Sequence, residues 1–296
     1  MTDPAAIFEP FRPRLFGIAY RMLGSAADAE DLVQETFLRW HAADREAISS
    51  PEAWLVTVVT RLAIDALRRA SAQRLEYVGE WLPEPIATDP PSHPDRSAEL
   101  ASDLSMAFLV LLERLGPEER AAFLLREVFG VSYAELAQVI GKSESATRQA
   151  VHRARLRVRG ERARVAVPVE TTERLVEAFV AALRAEDRDA MLRLVAPGVT
   201  FTSDGGGRVS AARRVVHGLE RVVRLFLSLE RKYRRATRHE IGWVNGEPTI
   251  LTFHGEQLFF TTSLATDGEK IVAFYRVMNP EKLGGVVKSS GEGDRG

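Results

Sequence analysis

Apolar and polar positions alternate with helical spacing along the first part of the chain. Over residues 8–70 apolar side chains recur every three to four residues, as on one face of an amphipathic helix. The pattern predicts three helices: one over 8–23, a second over DAEDLVQETFLRWH, and a third from Pro51 to Arg69. Ser50 is a favourable N-cap for the third helix, and proline is tolerated at its first position. The segment is therefore predicted to be an all-helical bundle.

A proline-rich segment interrupts the helical pattern. Five of the fourteen prolines fall within residues 83–94, and proline fixes φ and removes a backbone donor. Helical periodicity returns after residue 100 and continues to residue 165, with a break at Gly116-Pro117. We expect a helical domain over 1–72, a linker over 73–99 and a second helical domain over 100–165.

The pattern changes again after Pro168. Two further helical stretches precede runs of β-branched and aromatic residues, and Asn245-Gly246 and Asp267-Gly268 separate such runs. Asn-Gly and Asp-Gly pairs between apolar stretches are strong hairpin signals. Residues 168–284 are predicted to form an α+β domain with an antiparallel sheet, and residues 285–296 a disordered tail.

Composition limits the classes of chemistry. The chain has 296 residues, a formal net charge of -1 and no cysteine, which excludes disulfides and thiolate metal sites. No run of about 18 apolar residues occurs, and the N-terminus lacks the features of a signal peptide. The six histidines show no ligand spacing. We expect a cytosolic protein without a membrane segment, bound metal or cofactor.

Residues 131–159 carry the strongest local signal. Ser132 and Glu135 form an S-x-x-E capping box, Gly141 supplies a sharp turn, and a second helix follows. Residues 142–164 hold eight basic residues against two glutamates. Such a basic helix suits the major groove and phosphates of DNA, although a solvated helix of an ordinary bundle is the alternative. The residues predicted to point outward are Lys142, Ser145, Arg148, Gln149, His152, Arg153 and Arg155.

Longer motifs resemble a known family. DAEDLVQETFLRW and SPEAWLVTVVTRLAIDALRR resemble regions 2.2 to 2.4 of extracytoplasmic-function sigma factors of the sigma-70 family. LGPEERAAFLLREVFGVSYAELAQVIGKSESATRQAVHRAR resembles their region 4. The resemblance implies an all-α region 2 bundle, a region 4 helix-turn-helix, and an alternative sigma factor that directs core RNA polymerase to specific promoters. It also implies that the seven outward residues of the basic helix and the turn before it read the -35 promoter element. These seven residues are called the -35 set.

The same resemblance assigns two further sets of residues. The polymerase set, implied to contact the clamp helices of the largest polymerase subunit, is Asp31, Gln34 and Glu35. The -10 set, implied to face the -10 promoter element, is Trp54, Arg61, Asp65, Arg68 and Arg69. For Trp54 alone, a position in the core is the favoured interpretation.

The C-terminal part resembles SnoaL-like domains, which are conical folds of a curved sheet and helices around a pocket, fused to sigma factors in the SigJ-like subgroup. Three motifs support this resemblance: WLPEP, DGGGR and NPEKL. The resemblance implies a regulatory interdomain role for Trp81, Leu82, Pro83, Glu84, Pro85, Asp204, Gly205, Gly206, Gly207, Arg208, Asn279, Pro280, Lys282 and Leu283. We expect Arg208 to pair with Glu84, and the domain to pack against the linker and both helical domains.

Other functions of the C-terminal domain stay open at this point. A small-molecule ligand in the pocket is the second interpretation, and an enzyme using Asp204, His217, His254 or Tyr275 is a distant third. We expect no enzymatic activity. For the whole chain the competing hypothesis is a conventional helix-turn-helix regulator fused to a sensor or to a SnoaL-type enzyme.

Overall fold

The computed structural model describes residues 3–73, 77–90, 104–162 and 167–287. The chain divides into two compact units. The helical unit comprises residues 1–75 and 111–160, and the mixed unit comprises residues 76–110 and 161–296.

The first half of the helical unit contains α1 (Pro4–Phe8), α2 (Arg12–Leu23), α3 (Ala26–Ala42) and α4 (Pro51–Gln73). The prediction of one helix over 8–23 is wrong, because a 3-10 turn at Glu9–Phe11 separates α1 from α2. Pro10 lies in that turn and lacks the backbone donor that a continuous helix needs there. The predicted cap of α4 forms, since Ser50 Oγ accepts from the Ala53 amide at 3.3 Å. Ser25 caps α3 in the same way, with its Oγ accepting from the Asp28 amide at 3.2 Å.

Four further helices follow: α5 (Met106–Leu112), α6 (Pro117–Glu127), α7 (Tyr133–Ile140) and α8 (Glu144–Arg162). The boundary between the units falls within α5. Both hydrogen bonds of the predicted capping box at Ser132 and Glu135 are present. Gly141 ends α7 with a φ of 67°, a left-handed conformation that glycine adopts without steric cost. The predicted helix-turn-helix is therefore confirmed.

Buried side chains join the helices of this unit. Helix α2 packs against α3, α4 and α6. Helix α4 also packs against α6 and α7. Arg120 of α6 is 2% exposed and donates to the Met22 carbonyl at 2.7 Å and to Glu113 at 2.8 Å. Since a buried charge must be paired, these bonds fix α6 against the end of α2.

The mixed unit contains a six-stranded sheet with helices. The helices are α9 (Val169–Arg184), α10 (Arg188–Leu194), α11 (Leu219–Tyr233) and α12 (Gly284–Val287). The strands are β1 (Val195–Asp204), β2 (Val216–His217), β3 (Thr237–Val244), β4 (Glu247–His254), β5 (Gln257–Thr266) and β6 (Ile271–Val277). Phe179, Phe226 and Phe274 meet in the core beneath the sheet, with ring centroids 4.7 to 5.0 Å apart.

The strand order is β2-β1-β6-β5-β4-β3. The predicted α+β class is confirmed, and both predicted hairpins form. The prediction of a wholly antiparallel sheet is wrong at one pair, because β1 runs parallel to β6. Hairpin signals specify strands that are adjacent in sequence, whereas the partner of β1 lies some seventy residues further along.

The predicted tail begins inside an ordered element, since α12 extends to Val287; residues 288–296 lie outside the described residues. Among the residues that the structure describes, no helix is long and apolar enough to cross a membrane. The same residues contain no cluster of three or more histidine, aspartate or glutamate side chains able to hold a metal ion.

Candidate functional site

The -35 set lies on the outer side of α8 and the turn before it. All seven of its side chains are exposed, while Thr147, Ala150, Val151, Ala154 and Val158 form the buried face. Ala146 is half-buried, whereas its neighbour Thr147 is fully buried. Its hydroxyl donates to the Ser143 carbonyl at 2.9 Å, which satisfies its polar group. The structure therefore presents Arg148, Gln149 and His152 together on one accessible surface.

Acidic side chains of α6 contact many of the basic residues of α8. Glu119 pairs with Arg153 at 3.4 Å and also with Arg157, and Glu127 pairs with Arg155 at 2.7 Å. The hydrogen bond that Arg155 donates to Glu127 raises the pKa of Arg155. These arginines are about half exposed, and ion pairs of this kind contribute little to stability. They can exchange a glutamate partner for a phosphate at small cost.

Arg148 has a different environment. Its guanidinium carbon lies 4.3 Å from the centre of the Tyr133 ring, and its side chain pairs with Glu144 one turn earlier. The stacking holds the guanidinium plane in a defined orientation on the exposed face. A planar, oriented guanidinium is the group that recognises a guanine edge with two hydrogen bonds.

The -10 set lies on α4. Trp54 is half-buried and packs against the buried Trp40, with ring centroids 5.5 Å apart. Asp65 accepts from Arg68 at 3.1 Å, and the Asp65 carbonyl accepts from Arg69 at 3.3 Å. Trp54 is thus largely a packing residue in this structure, while the four charged side chains of the set are exposed.

Two arginines of the -10 set contact the later helices of the helical unit, Arg61 at α7 and Arg68 at α6. Arg61 donates to the carbonyls of Val139 at 3.0 Å and Gln138 at 2.7 Å, near the C-terminal end of α7. Arg68 donates to Glu118 of α6 at 2.7 Å. Glu118 also pairs with Lys142, and the hydrogen bond from Lys142 lowers the pKa of Glu118. One carboxylate therefore holds one residue of the -10 set and one of the -35 set.

The polymerase set lies along one side of α3. Asp31 and Gln34 are exposed, and Glu35 accepts from Arg39 at 2.8 Å one turn further along the helix. The opposite side of α3 packs into the core through Val33, Thr36 and Trp40. The polymerase set therefore lies on the side of α3 that faces away from the core.

The motifs WLPEP, DGGGR and NPEKL meet at the carboxylate of Asp204 in the mixed unit. Oδ1 accepts from the Tyr77 hydroxyl at 2.6 Å and the Gly206 amide at 3.0 Å. Oδ2 accepts from the Leu82 amide at 2.9 Å and from Lys282 Nζ at 2.7 Å. Asp204 is completely buried. Burial raises the pKa of Tyr77, and the hydrogen bond to Asp204 raises it further. The Tyr77 hydroxyl therefore stays protonated and donates to Asp204.

Lys282 and Asn279 complete this cluster, here called the linker anchor. Lys282 Nζ donates to the Leu82 carbonyl at 2.6 Å and lies 4.1 Å from the centre of the Trp81 ring. The Asn279 side-chain amide donates to the Tyr77 hydroxyl at 3.1 Å. Tyr77 was not selected from the sequence, although an aromatic residue four positions before WLPEP was a usable signal.

The expected pair between Arg208 and Glu84 is wrong. Arg208 instead pairs with Glu281 at 2.7 Å, and both side chains are more than 60% exposed. The glycines of DGGGR explain the difference, because Gly206 and Gly207 turn the chain through left-handed conformations. The backbone of the loop at Gly207 lies against the side chain of Val78 in the linker. A Cβ on Gly207 would be only 3.1 Å from that side chain. Glu84 lies instead beside Gly285.

The linker continues along the sheet edge beyond the anchor. Ile86 and Asn245 exchange two hydrogen bonds of 2.8 Å each, and the Thr88 amide donates to the Trp243 carbonyl at 3.0 Å. The Ala87 amide donates to the Gly285 carbonyl at 3.2 Å. Residues 77–88 thus have specific hydrogen-bond partners in the C-terminal part of the mixed unit.

The predicted catalytic candidates do not come together. Asp204 is fully engaged in the linker anchor, and His217 and His254 are exposed at β2 and at the end of β4. A cavity of about 550 Å³ in the mixed unit is lined instead by Glu230, His239 and Arg276, none of which was selected from the sequence. Arg276, a charged residue in the apolar stretch IVAFYRVM, was the available signal.

Two family models match the helical segments. Sigma-70 region 2 matches residues 7–73, and Sigma-70, region 4 matches residues 105–158. With a four-helix segment and a helix-turn-helix in this order, these matches define the class as a sigma-70-type sigma factor.

Whole-chain relatives define the family more closely. Over 290 residues the chain is 39% identical to the ECF RNA polymerase sigma factor SigJ of Mycobacterium tuberculosis (strain H37Rv), covering 94% of this chain and 92% of that protein. The probable ECF RNA polymerase sigma factor SigI of the same species is 32% identical, covering 95% of each. The crystal structure of M. tuberculosis SigJ matches with a TM-score of 0.76 at 36% identity, covering 95% of this chain and 98% of that one. The chain belongs to the extracytoplasmic-function sigma factors, and its function is that of an alternative RNA polymerase sigma factor. A conventional helix-turn-helix regulator is not favoured.

Proposed function

We propose that α8 reads the -35 element through the -35 set, that α4 contacts the -10 element, and that the polymerase set docks on the clamp helices of core RNA polymerase. The observation that carries this proposal is the position of the exposed residues. The -35 set lies on α8 and the turn before it, and the -10 set lies on α4, within the stretches matched by the region 4 and region 2 models. The proposal includes the domain division at 1–72, 73–99, 100–165 and 168–284, and action in the cytoplasm, where RNA polymerase transcribes.

The α6 carboxylates give the proposal a specific electrostatic step. Glu118, Glu119 and Glu127 neutralise basic side chains of both DNA-facing sets in the free protein. Promoter phosphates would replace these carboxylates, since the pairs are surface pairs of low net stability. Glu119→Gln is therefore expected to increase promoter affinity, and Glu170→Gln on α9 serves as the matched control.

Run-off transcription with purified core polymerase tests the promoter assignment. Arg148→Ala should change preference at one -35 position by about 1–3 kcal/mol, because its guanidinium is oriented for a bidentate base contact. Arg157→Ala should weaken binding uniformly, because a phosphate contact carries no base information. Unchanged base preference of Arg148→Ala across a randomised -35 library would contradict the assignment.

Polymerase docking needs a separate test. Charge reversal at both Asp31 and Glu35 should reduce co-purification with core polymerase without changing the thermal unfolding midpoint, because exposed charges affect docking more than stability. Reversal at the exposed Glu170 and Glu177 of α9 is the control. Equal co-purification by both double variants would refute the docking surface.

We also propose that the mixed unit regulates transcription and catalyses nothing. The engagement of Asp204 by Tyr77, Leu82 and Lys282 supports this assignment, because the carboxylate has no free oxygen for acid-base chemistry. Transcription by the full-length protein is compared with chains truncated after residue 166 or lacking residues 279–296, and with Arg208→Ala. Equal activity of all four would refute a regulatory role.

A further inference from the structure

The cavity of the mixed unit is unusually apolar for a space that contains a buried arginine. Its volume is about 550 Å³, within the range of small-molecule sites. Phe201, Phe226, Phe259, Phe260 and Leu229 supply most of its apolar walls. None of these residues belongs to the linker anchor or to the proposed DNA-binding surfaces.

Arg276 is the central polar group of this cavity. It is 5% exposed, and its Nε donates to Thr262 Oγ1 at 3.0 Å. The guanidinium carbon lies 4.2 Å from the centre of the Phe260 ring and 5.0 Å from that of Phe226. No carboxylate among the described residues forms an ion pair with it. Burial lowers the pKa of Arg276 to about 9, so the group still carries its charge at neutral pH.

The nearest buried carboxylate already has a partner. Glu230 Oε2 lies 2.9 Å from His239 Nε2, and His239 Nδ1 lies 2.9 Å from Thr252 Oγ1. Glu230 attracts Arg276 through space without contacting it. With Arg276 and Lys232 as cations and Glu230 as the anion, the lining carries at least one net positive charge. A buried cation without a contacting anion is costly unless a ligand supplies one.

We propose that this cavity binds an organic monoanion with an apolar body, specifically a carboxylate whose oxygens accept from the terminal nitrogens of Arg276. The phenylalanine walls contact the apolar body, and the guanidinium forms charge-assisted hydrogen bonds to the head group. A small, strongly hydrated anion such as phosphate does not match these walls. Binding at this site is independent of the polymerase and promoter assignments.

Calorimetry on the full-length protein tests the proposal with three probes that share one body: decanoate, decan-1-ol and decylammonium. Wild-type protein should bind decanoate at least about tenfold more tightly than decan-1-ol, because only the carboxylate forms charge-assisted bonds with Arg276. Decylammonium should bind most weakly. Equal binding of decanoate and decan-1-ol, or no binding of any probe, would overturn the proposal.

Two variants locate the site. Arg276→Met should reduce decanoate affinity to that of decan-1-ol, whereas Leu229→Trp should fill the cavity and reduce both. Arg193→Met, at an exposed arginine outside the cavity, is the matched control and should change neither. Unchanged decanoate affinity in Leu229→Trp would place binding elsewhere and refute the site. If Arg276→Met does not fold, the probe series on wild type and Leu229→Trp still decides the outcome.

Discussion

The linker anchor predicts that replacing one buried oxygen of Asp204 releases residues 77–88 from the rest of the mixed unit. Three of the four groups that contact its carboxylate are N–H donors: the Gly206 amide, the Leu82 amide and the Lys282 ammonium. In Asp204→Asn the side-chain amide nitrogen is itself a donor. In one orientation it faces Gly206, and in the other it faces both Leu82 and Lys282. No orientation satisfies all the partners.

The exposed fractions set the expected magnitude. Asp204 is 0% exposed and the Lys282 side chain 12%, so the substitution removes the negative charge of Asp204 from beside a poorly hydrated ammonium. Breaking a buried pair on one side costs about 3–5 kcal/mol. The Arg208–Glu281 pair is more than 60% exposed at both ends, and such a pair contributes about 0.2–1 kcal/mol. Arg208→Met is therefore the matched control within the same motif.

Hydrogen exchange on the full-length protein measures the effect directly. A local loss of about 3 kcal/mol corresponds to exchange roughly a hundredfold faster over residues 77–88. Arg208→Met should change exchange there by less than about fivefold. Lys282→Met provides a second test, because it removes the ammonium but leaves Asp204 bonded to Tyr77, Leu82 and Gly206.

Similar exchange rates in Asp204→Asn and wild type would refute the assignment of Asp204 as the group that holds the linker. Equal acceleration by Arg208→Met would do the same, because an exposed pair would then matter as much as a buried one. If Asp204→Asn unfolds the whole mixed unit, the comparison of Lys282→Met with Arg208→Met decides the question.

Three further substitutions probe other buried groups. Burial raises the pKa of Glu247 from 4.5 to about 8. Between these two pH values the folded protein holds a proton that the unfolded chain has released. The free energy of unfolding should therefore fall as pH rises from 4.5 to about 8. Glu247→Gln should flatten that slope and stabilise the protein at pH 8 by up to about 4 kcal/mol, measured by urea unfolding at pH 5, 6.5 and 8. Gly206→Ala should destabilise the mixed unit by more than about 1–2 kcal/mol, because its φ is 59° and the new Cβ would lie 2.3 Å from Asn279 Nδ2. Arg120→Met should destabilise the helical unit by about 2–4 kcal/mol in the same assay, because Glu113 and the Met22 carbonyl lose their donor.

Matched controls separate these effects from nonspecific damage. Glu256→Gln changes a 97% exposed carboxylate and should leave the pH slope unchanged. Gly198→Ala adds a methyl group that meets nothing within 4 Å. Arg193→Met removes an exposed arginine. A control that destabilises as much as its buried counterpart would contradict the corresponding argument.

Features set by neighbouring residues could be predicted from the sequence. The capping box at Ser132 and Glu135 and the Asn245-Gly246 hairpin each depend on a few adjacent residues, and both form as expected. The outward face of α8 follows from helical periodicity alone. The break at Pro10 was also readable locally but was outweighed by the apolar spacing around it.

Features set by distant residues could not be predicted in the same way. The parallel pairing of β1 with β6, the pairing of Arg208 with Glu281, and the cavity around Arg276 all depend on where the chain returns after long excursions. Periodicity shows that Arg276 shares a strand face with Phe274, but it does not show which aromatic rings close over it. Residues of a cavity are therefore recognised once the topology is known.

The linker anchor and the cavity share two adjacent strand ends. Ser203 lines the cavity and the next residue is Asp204, while Met278 lines the cavity and the next residue is Asn279. The Asp204 carbonyl accepts from the amides of Met278 at 2.7 Å and Asn279 at 3.0 Å, which locks the two ends together. Ser203 and Asp204 are successive residues of β1 and point to opposite sides of the sheet, so a ligand that shifts Ser203 is expected to shift Asp204 as well. Coupling between such sites is reciprocal. If saturating decanoate slows hydrogen exchange in the linker, Asp204→Asn must weaken decanoate binding, and by the same factor when the substitution releases the linker completely.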